Sequence, residues 1–209
     1  LPYIGNDVVD WQDPANTKKG WNLPYLKKIL TPAEIESVQA AKNPDLALWL
    51  IWACKETAYK VIRKFDDTAA FLPLRWSVIQ DESTANTGKV IIPEKDPVFV
   101  RCSANENYVH CIGSNDQQDL EKIIWRVDSL PSAENGINSD PSLFVRQQFI
   151  RRLADTYRLD LKDLEIRREE KGGELQPPYI YLNNAKAPFD ISLSHDGRFV
   201  AYAFLPKSN

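Results

Sequence analysis

Residues 52–60, WACKETAYK, set a lysine, a glutamate and a second lysine into a run that is otherwise apolar. The run continues upstream as LALWL (46–50) and downstream as VIRKF (61–65). Asn43 and Pro44 ahead of it supply an N-cap and a first helical residue, so 43–65 reads as the longest helix of the first half of the chain. Its apolar content places that helix in a core, where charge is costly. Three readings of Glu56 and Lys60 are open. A surface pair at i,i+4 contributes about 0.2–0.5 kcal/mol. A buried structural pair must be hydrogen-bonded throughout to offset its desolvation. A functional pair sets the carboxylate on a metal and the ammonium on an anion. A hard cation such as Mg²⁺ binds through one or two carboxylates together with substrate phosphates, so the third reading needs a second acid.

GNDVVD (5–10) offers one. Asp7 lies in a short strand between Ile4 and Val8-Val9, with a polar break at Gly5, Asn6 and Asp7; taken alone, it also reads as a strand-end or turn aspartate. Asp10 is expected to face solvent on the same strand. Near the other end of the chain, SLSHDG (192–197) places Ser194 and His195 just before Asp196-Gly197, the strongest short hairpin signal present. Both side chains are hydrogen-bond donors for a phosphate. A nucleophilic Ser-His pair is disfavoured, because neighbouring side chains on a strand point to opposite faces. Taken alone, His195 reads as a histidine at a surface turn.

The chain has 209 residues, 43% of them hydrophobic and 26% charged, which is enough for one large domain or two small ones with a real core. A net charge of −3 gives no reason to expect nucleic-acid binding. No apolar run approaches the roughly 20 residues of a membrane span, no signal peptide is visible, and a cytoplasmic location is expected. Cys54, Cys102 and Cys111 are too few and too scattered for a disulfide framework or a zinc site. Cys102 and Cys111 can meet only if neighbouring strands carry them, and free core thiols are expected.

Thr31, Pro32 and Glu34 form a capping-box start for a helix over 30–41. Residues 74–79, 88–93, 98–104 and 108–114 read as a strand meander. The stretch 131–141, PSAENGINSDP, reads as a loop, and Asp140-Pro141 opens another helix through 157. A faint repeat runs through the chain. LPYIGNDVVDW (1–11) has its counterpart in EKIIWRVDSL (121–130), and 101–114 resembles 191–204 with Tyr108 opposite Phe199. The expectation is an α+β fold of two similar lobes, 1–118 and 119–209, each a long helix on an antiparallel sheet, packed as a pseudo-dimer with a ligand crevice between them.

In their order, GNDVVD, ILTPAEI, WACKETAYK and ISLSHDGRFVAYAF resemble the 4′-phosphopantetheinyl transferase superfamily, in the manner of the small holo-acyl-carrier-protein synthases. Trp52, Lys55, Glu56 and Lys60 follow the W-x-x-K-E-x-x-x-K form of its central motif. The segments FVRQQFIRRLADTYRLD, EEKGGELQPPYIYL and FDISLSHDGRFVAYAF resemble the N-terminal half of the two-lobed members, yet here they follow the acid motifs, so the halves stand in permuted order.

The resemblance implies that Asp7 and Glu56 hold Mg²⁺ against the pyrophosphate of coenzyme A, that Lys60 lies beside the phosphates, and that a metal-activated water, Glu56 or Lys60 serves as the base. It implies that Ser194 and His195, with Lys55 and Lys171, contact coenzyme A. The implied activity is a cytoplasmic transferase of the holo-acyl-carrier-protein synthase type, moving 4′-phosphopantetheine from coenzyme A to a serine of an apo acyl- or peptidyl-carrier protein and releasing 3′,5′-ADP. Two fused lobes make a monomer sufficient. Two departures stand out. Val9 occupies a position where two-lobed members carry a second acid, and CSANENYVH in the first half has no Ser-His, so one complete site per chain is expected. The alternative is a catalytically silent module of the same fold that binds coenzyme A, a nucleotide or a carrier protein. Another Mg²⁺-dependent phosphotransferase is disfavoured, because the chain has no glycine-rich phosphate loop.

Overall fold

The computed structural model describes residues 2–81, 86–131 and 140–207, so most of the loop expected over 131–141 lies outside the described residues. The first half runs β1 (Ile4–Val9), α1 (Leu23–Ile29), α2 (Pro32–Ala40), α3 (Pro44–Ile62), β2 (Ser77–Gln80), β3 (Thr87–Ile91), β4 (Val98–Ala104) and β5 (Val109–Ser114). The second runs β6 (Ile124–Ser129), α4 (Pro141–Tyr157), β7 (Leu164–Arg167), a small hairpin β8 (Glu170–Lys171) and β9 (Glu174–Leu175), then β10 (Tyr179–Leu182), β11 (Ala185–Lys186), β12 (Phe189–Asp196) and β13 (Phe199–Pro206). The fold is mixed, with antiparallel sheets and helices against them. The polar break expected at Gly5-Asn6-Asp7 is absent: all three lie inside β1, every residue of which is buried. Helix α1 was not legible, since it is short and buries only Leu26.

Helix starts follow local chemistry. Asn43 Oδ1 accepts from the Leu46 N–H at 3.1 Å, and Asp140 Oδ1 accepts from the Ser142 N–H at 2.8 Å. The capping box of α2 is formed, with the Thr31 N–H donating to Glu34 Oε2 at 2.8 Å. Glu34 does more than cap. Its Oε1 accepts from the Val78 N–H at 3.0 Å, and its Oε2 accepts from Lys55 Nζ at 2.6 Å. Lys55 is completely buried and donates also to the carbonyls of Pro73 at 2.7 Å and Ile29 at 3.3 Å. Three donors thus meet three acceptors, and the pair ties α2, α3 and the entry to β2 together. The expectation that Lys55 contacts coenzyme A is corrected: its ammonium is spent inside the protein.

The first sheet has the order β1-β5-β4-β3-β2. Helix α3 lies across β1 and β5 at a point where both strands carry glycine, Gly5 paired with Gly113. A Cβ on Gly5 would stand 2.3 Å from the Thr57 carbonyl oxygen, and one on Gly113 would stand 2.7 Å from Thr57 Cγ2. The two glycines let the helix backbone sink onto the sheet. A second sheet, β12-β13-β6, receives α4, whose Phe149 packs on Tyr202 and Phe204 with ring centroids 5.7 and 5.6 Å away. The order β1-β5-β4 recurs as β6-β13-β12. Tyr108 and Phe199, counterparts in the sequence repeat, pack against each other at 4.9 Å.

β1 is an edge strand of its sheet, and side chains of β12 close that edge. Its N–H groups donate across the join: Ile4 to Asp190 Oδ2 at 2.7 Å, Asn6 to Ser192 Oγ at 2.9 Å and Asp10 to Asp196 Oδ2 at 2.8 Å. Otherwise buried backbone donors are thereby satisfied without strand pairing. Asp10, expected at the surface, is fully buried and accepts from the Arg198 N–H, Nε and Nη2 at 3.0, 2.7 and 2.8 Å. It meets the β12–β13 turn at Gly197, whose φ of +51° suits glycine.

Replacing Lys55 by alanine leaves Glu34 buried without its cation. The expected loss is about 3–5 kcal/mol in urea unfolding, whereas Lys162→Ala, which removes an exposed pair with Asp160, should stay within about 1 kcal/mol of the parent.

Candidate metal centre

Alternation along β1 sends its side chains two ways. Asn6 and Val8 face the second half, where Ser194 Oγ donates to Asn6 Oδ1 at 2.6 Å and Val8 packs with Phe199 and Ala201. Asp7 and Val9 face the other way. Val9 is a buried member of the first core, so the position of the second acid is a packing contact and supplies no oxygen ligand.

Lys60 Nζ donates to Asp7 Oδ1 at 2.7 Å and to the Asn6 carbonyl at 3.0 Å. The surface Glu56–Lys60 pair is therefore not formed; the lysine reaches across to β1. Glu56, one helical turn earlier on α3, has no hydrogen-bond or ion-pair partner among the described residues. Burial, and then the negative charge of Asp7, push its carboxyl up to about 7, with Lys60 opposing. Asp7 is raised as well, by burial first, against the lowering effect of Lys60 and His195. Two carboxyls raised by burial, with one ammonium paired to Asp7, form a donor set short of positive charge. Hard oxygens, paired and partly buried, fit a small divalent cation such as Mg²⁺.

His195 is exposed on β12, close enough to Asp7 for its charge to lower the acid's pKa, so a residue of the second half joins the acids of the first. Ser194, its neighbour, points the other way and is buried. The expected direct contact of Ser194 with coenzyme A is corrected on that ground: its hydroxyl holds Asn6, and so seats β12 on β1. His110, the second histidine, is buried against Trp125 at 4.8 Å, and its pKa is pushed down to about 3 by burial and by Lys60. It is a neutral packing residue.

Beyond Lys60 the end of α3 faces a hollow of about 250 Å³, closed on its other side by residues 174–178 and 191–193. Its cations are Lys60, Arg63, Lys64 and Arg168, against the single acid Glu174. Lys64 is spent on the Asp190 carboxylate at 2.6 Å and the Ile191 carbonyl at 2.8 Å. Arg168 makes no ion pair among the described residues. Lys171 is exposed on the β8–β9 hairpin and pairs with Asp67, just beyond α3, while Arg63 pairs with Glu174 at 3.2 Å. The Lys171–Asp67 pair joins the β8–β9 hairpin to the segment just beyond α3. Sequence reasoning missed Arg63, Lys64 and Arg168. The RKF run after the helix and the RREEK run were the available signals, and neither has a distinctive spacing.

The family model described as the 4′-phosphopantetheinyl transferase superfamily matches residues 3–113, more than half of the chain. No curated protein matches it.

The raised Glu56 has a consequence for stability. Its folded carboxyl keeps a proton up to about pH 7, while the unfolded one loses it near the ordinary value of 4.5. The folded form therefore binds more protons between those values, and its stability falls as pH rises through that window. Melting temperature should decline from about pH 5 to about pH 8, should recover when Mg²⁺ is added at the upper end, and should show a flatter slope in Glu56→Gln. A slope unchanged in Glu56→Gln would contradict the assignment.

Proposed function

Because the chain belongs to the 4′-phosphopantetheinyl transferase superfamily, whose chemistry is phosphopantetheinyl transfer, we propose that it moves the 4′-phosphopantetheine group of coenzyme A to a serine hydroxyl of an apo acyl- or peptidyl-carrier protein. The other product is 3′,5′-ADP. The observation that carries this reading is the Glu56 carboxyl, without a hydrogen-bond or ion-pair partner among the described residues, near the Asp7–Lys60 pair. The recurrence of β1-β5-β4 as β6-β13-β12 supports two lobes, 1–118 with the acid motifs and 119–209 with the Ser-His hairpin, and a site that draws on both.

Asp7 and Glu56 are the residues that would hold Mg²⁺. The bound ion would neutralise the pyrophosphate and the charge that develops on the leaving phosphate. Lys60 has three N–H donors, of which Asp7 and Asn6 take two, so one remains for a phosphate oxygen at the mouth of the basic hollow. Arg168, free of ion pairs among the described residues, and Arg63 line that hollow and suit the remaining phosphate charge. His195, exposed next to Asp7, is placed to donate to phosphate from the second half. In the transfer the serine oxygen bonds to the phosphorus that carries the pantetheine, and the bond from that phosphorus to the oxygen of 3′,5′-ADP breaks. The serine proton goes to Glu56, whose carboxylate has two oxygens and can face both an ion and the incoming hydroxyl. Lys60, paired with Asp7 at 2.7 Å, acts as a hydrogen-bond donor to phosphate and not as the base.

The test is incubation of the chain with coenzyme A, Mg²⁺ and apo carrier proteins of fatty-acid, polyketide and peptide synthesis, followed by intact mass. Wild type should add one phosphopantetheine. Glu56→Gln should lose transfer by about a hundredfold or more while remaining folded. His195→Ala should chiefly raise the KM for coenzyme A. Coenzyme A binding without transfer to any carrier would favour the silent-module reading, which the Val9 substitution suggests.

A further inference from the structure

The three cysteines, scattered in sequence, converge in the fold. Cys102 and Cys111 stand directly opposite each other on β4 and β5. Cys54 reaches them from α3, next to the crossing at Thr57. Its Sγ lies 3.3 Å from that of Cys102 and 4.0 Å from that of Cys111, and all three sulfurs fall within 4.8 Å of one another. All are free thiols. An ion that binds sulfur at about 2.3 Å sets its thiolates roughly 3.8–4.0 Å apart, so the observed triangle needs shifts of about an ångström or less to enclose one.

Among the described residues no carboxylate or imidazole belongs to this group, so the donors are uniformly soft. Such a set selects Zn²⁺, Cd²⁺ or Cu⁺ and rejects Mg²⁺. The group is not sealed. Cys102 is only partly buried, and a hollow of about 160 Å³ between Leu50, Ile51, Val78 and Val100 reaches both Cys102 and Cys54. That hollow gives an entry path and room for a fourth, exchangeable ligand.

We propose that Cys54, Cys102 and Cys111 form a trithiolate site for one thiophilic metal ion, separate from the carboxylate pair. On binding, the three thiols release their protons to solvent and three sulfur–metal bonds form, with no change of oxidation state. The bound ion would fasten α3 to β4 and β5. Cys111 is also the cross-strand partner of Asp7, so the sulfur site lies beside the acid that the proposed transfer uses, on the same face of the sheet. Occupancy would thus stiffen the frame that presents Asp7, Glu56 and Lys60.

The experiment uses the whole chain, reduced and freed of metal with a chelator, titrated with Cd²⁺ and then Zn²⁺. One equivalent of Cd²⁺ should produce the ultraviolet thiolate-to-cadmium band, raise the melting temperature, and protect all three cysteines from alkylation as read by peptide mass. Excess Mg²⁺ should leave the band in place, and so should Glu56→Gln, which keeps this result independent of the transferase reading. Cys102→Ser, at the most accessible of the three, should weaken Cd²⁺ binding roughly a hundredfold or more. Absence of the band, protection of fewer than three thiols, or loss of the band in Glu56→Gln would overturn the proposal. The wild-type alkylation pattern alone decides the matter if Cys102→Ser does not fold.

Discussion

The backbone contact between α3 and β1 is the constraint on which the remainder depends. Thr57 rests where Gly5 and Gly113 face each other across two paired strands, and neither position has room for a Cβ. Packed layers of secondary structure are ordinarily held apart by the side chains between them, about 10 Å for two sheets. Here none intervenes from the two glycines, and the helix drops far enough for Lys60 to reach both the carboxylate of Asp7 and the carbonyl of Asn6. The glycine two residues before the acid is therefore part of the site's geometry. It provides closeness, and the Asp7 charge then adds to burial in raising the Glu56 carboxyl.

A second feature follows from where β1 lies. Its face toward α3 carries Asp7, and its free edge carries N–H groups that Asp190, Ser192 and Asp196 accept. One six-residue strand thus serves as the floor of the candidate site and as the seam between the two halves. Lys64, buried at the end of α3, reinforces the seam by donating to Asp190 and to the Ile191 carbonyl. A change at the seam has consequences for the site, since both are built on the same backbone.

Much of this was legible in the sequence because it is written in local chemistry. Caps at Asn43, Thr31 and Asp140, the Asp196-Gly197 turn and the run of apolar residues in α3 each follow from rules that act within a few residues. The pairing of Asp7 with Lys60 in one site was accessible through the motif resemblance. What was not legible depends on which face a side chain takes after distant elements meet. Lys55 and Lys60 look alike in WACKETAYK, yet their positions on the helix send one to Glu34 in the core and the other to Asp7. Ser194 and His195 are adjacent, and the strand pleat puts one inside and one outside. The cysteines looked unrelated because their meeting requires the β4–β5 register and the depth of α3 at once.

The most direct test of this account is Mg²⁺ affinity in Gly5→Ala, measured by calorimetric titration on protein whose circular dichroism shows the fold retained. The added methyl has to displace Thr57, so the helix rises and Glu56 moves off Asp7. Mg²⁺ affinity should fall by about tenfold or more, the scale at which loss of a supporting residue is felt at a metal site. Folded Gly5→Ala that binds Mg²⁺ as tightly as the parent would contradict it.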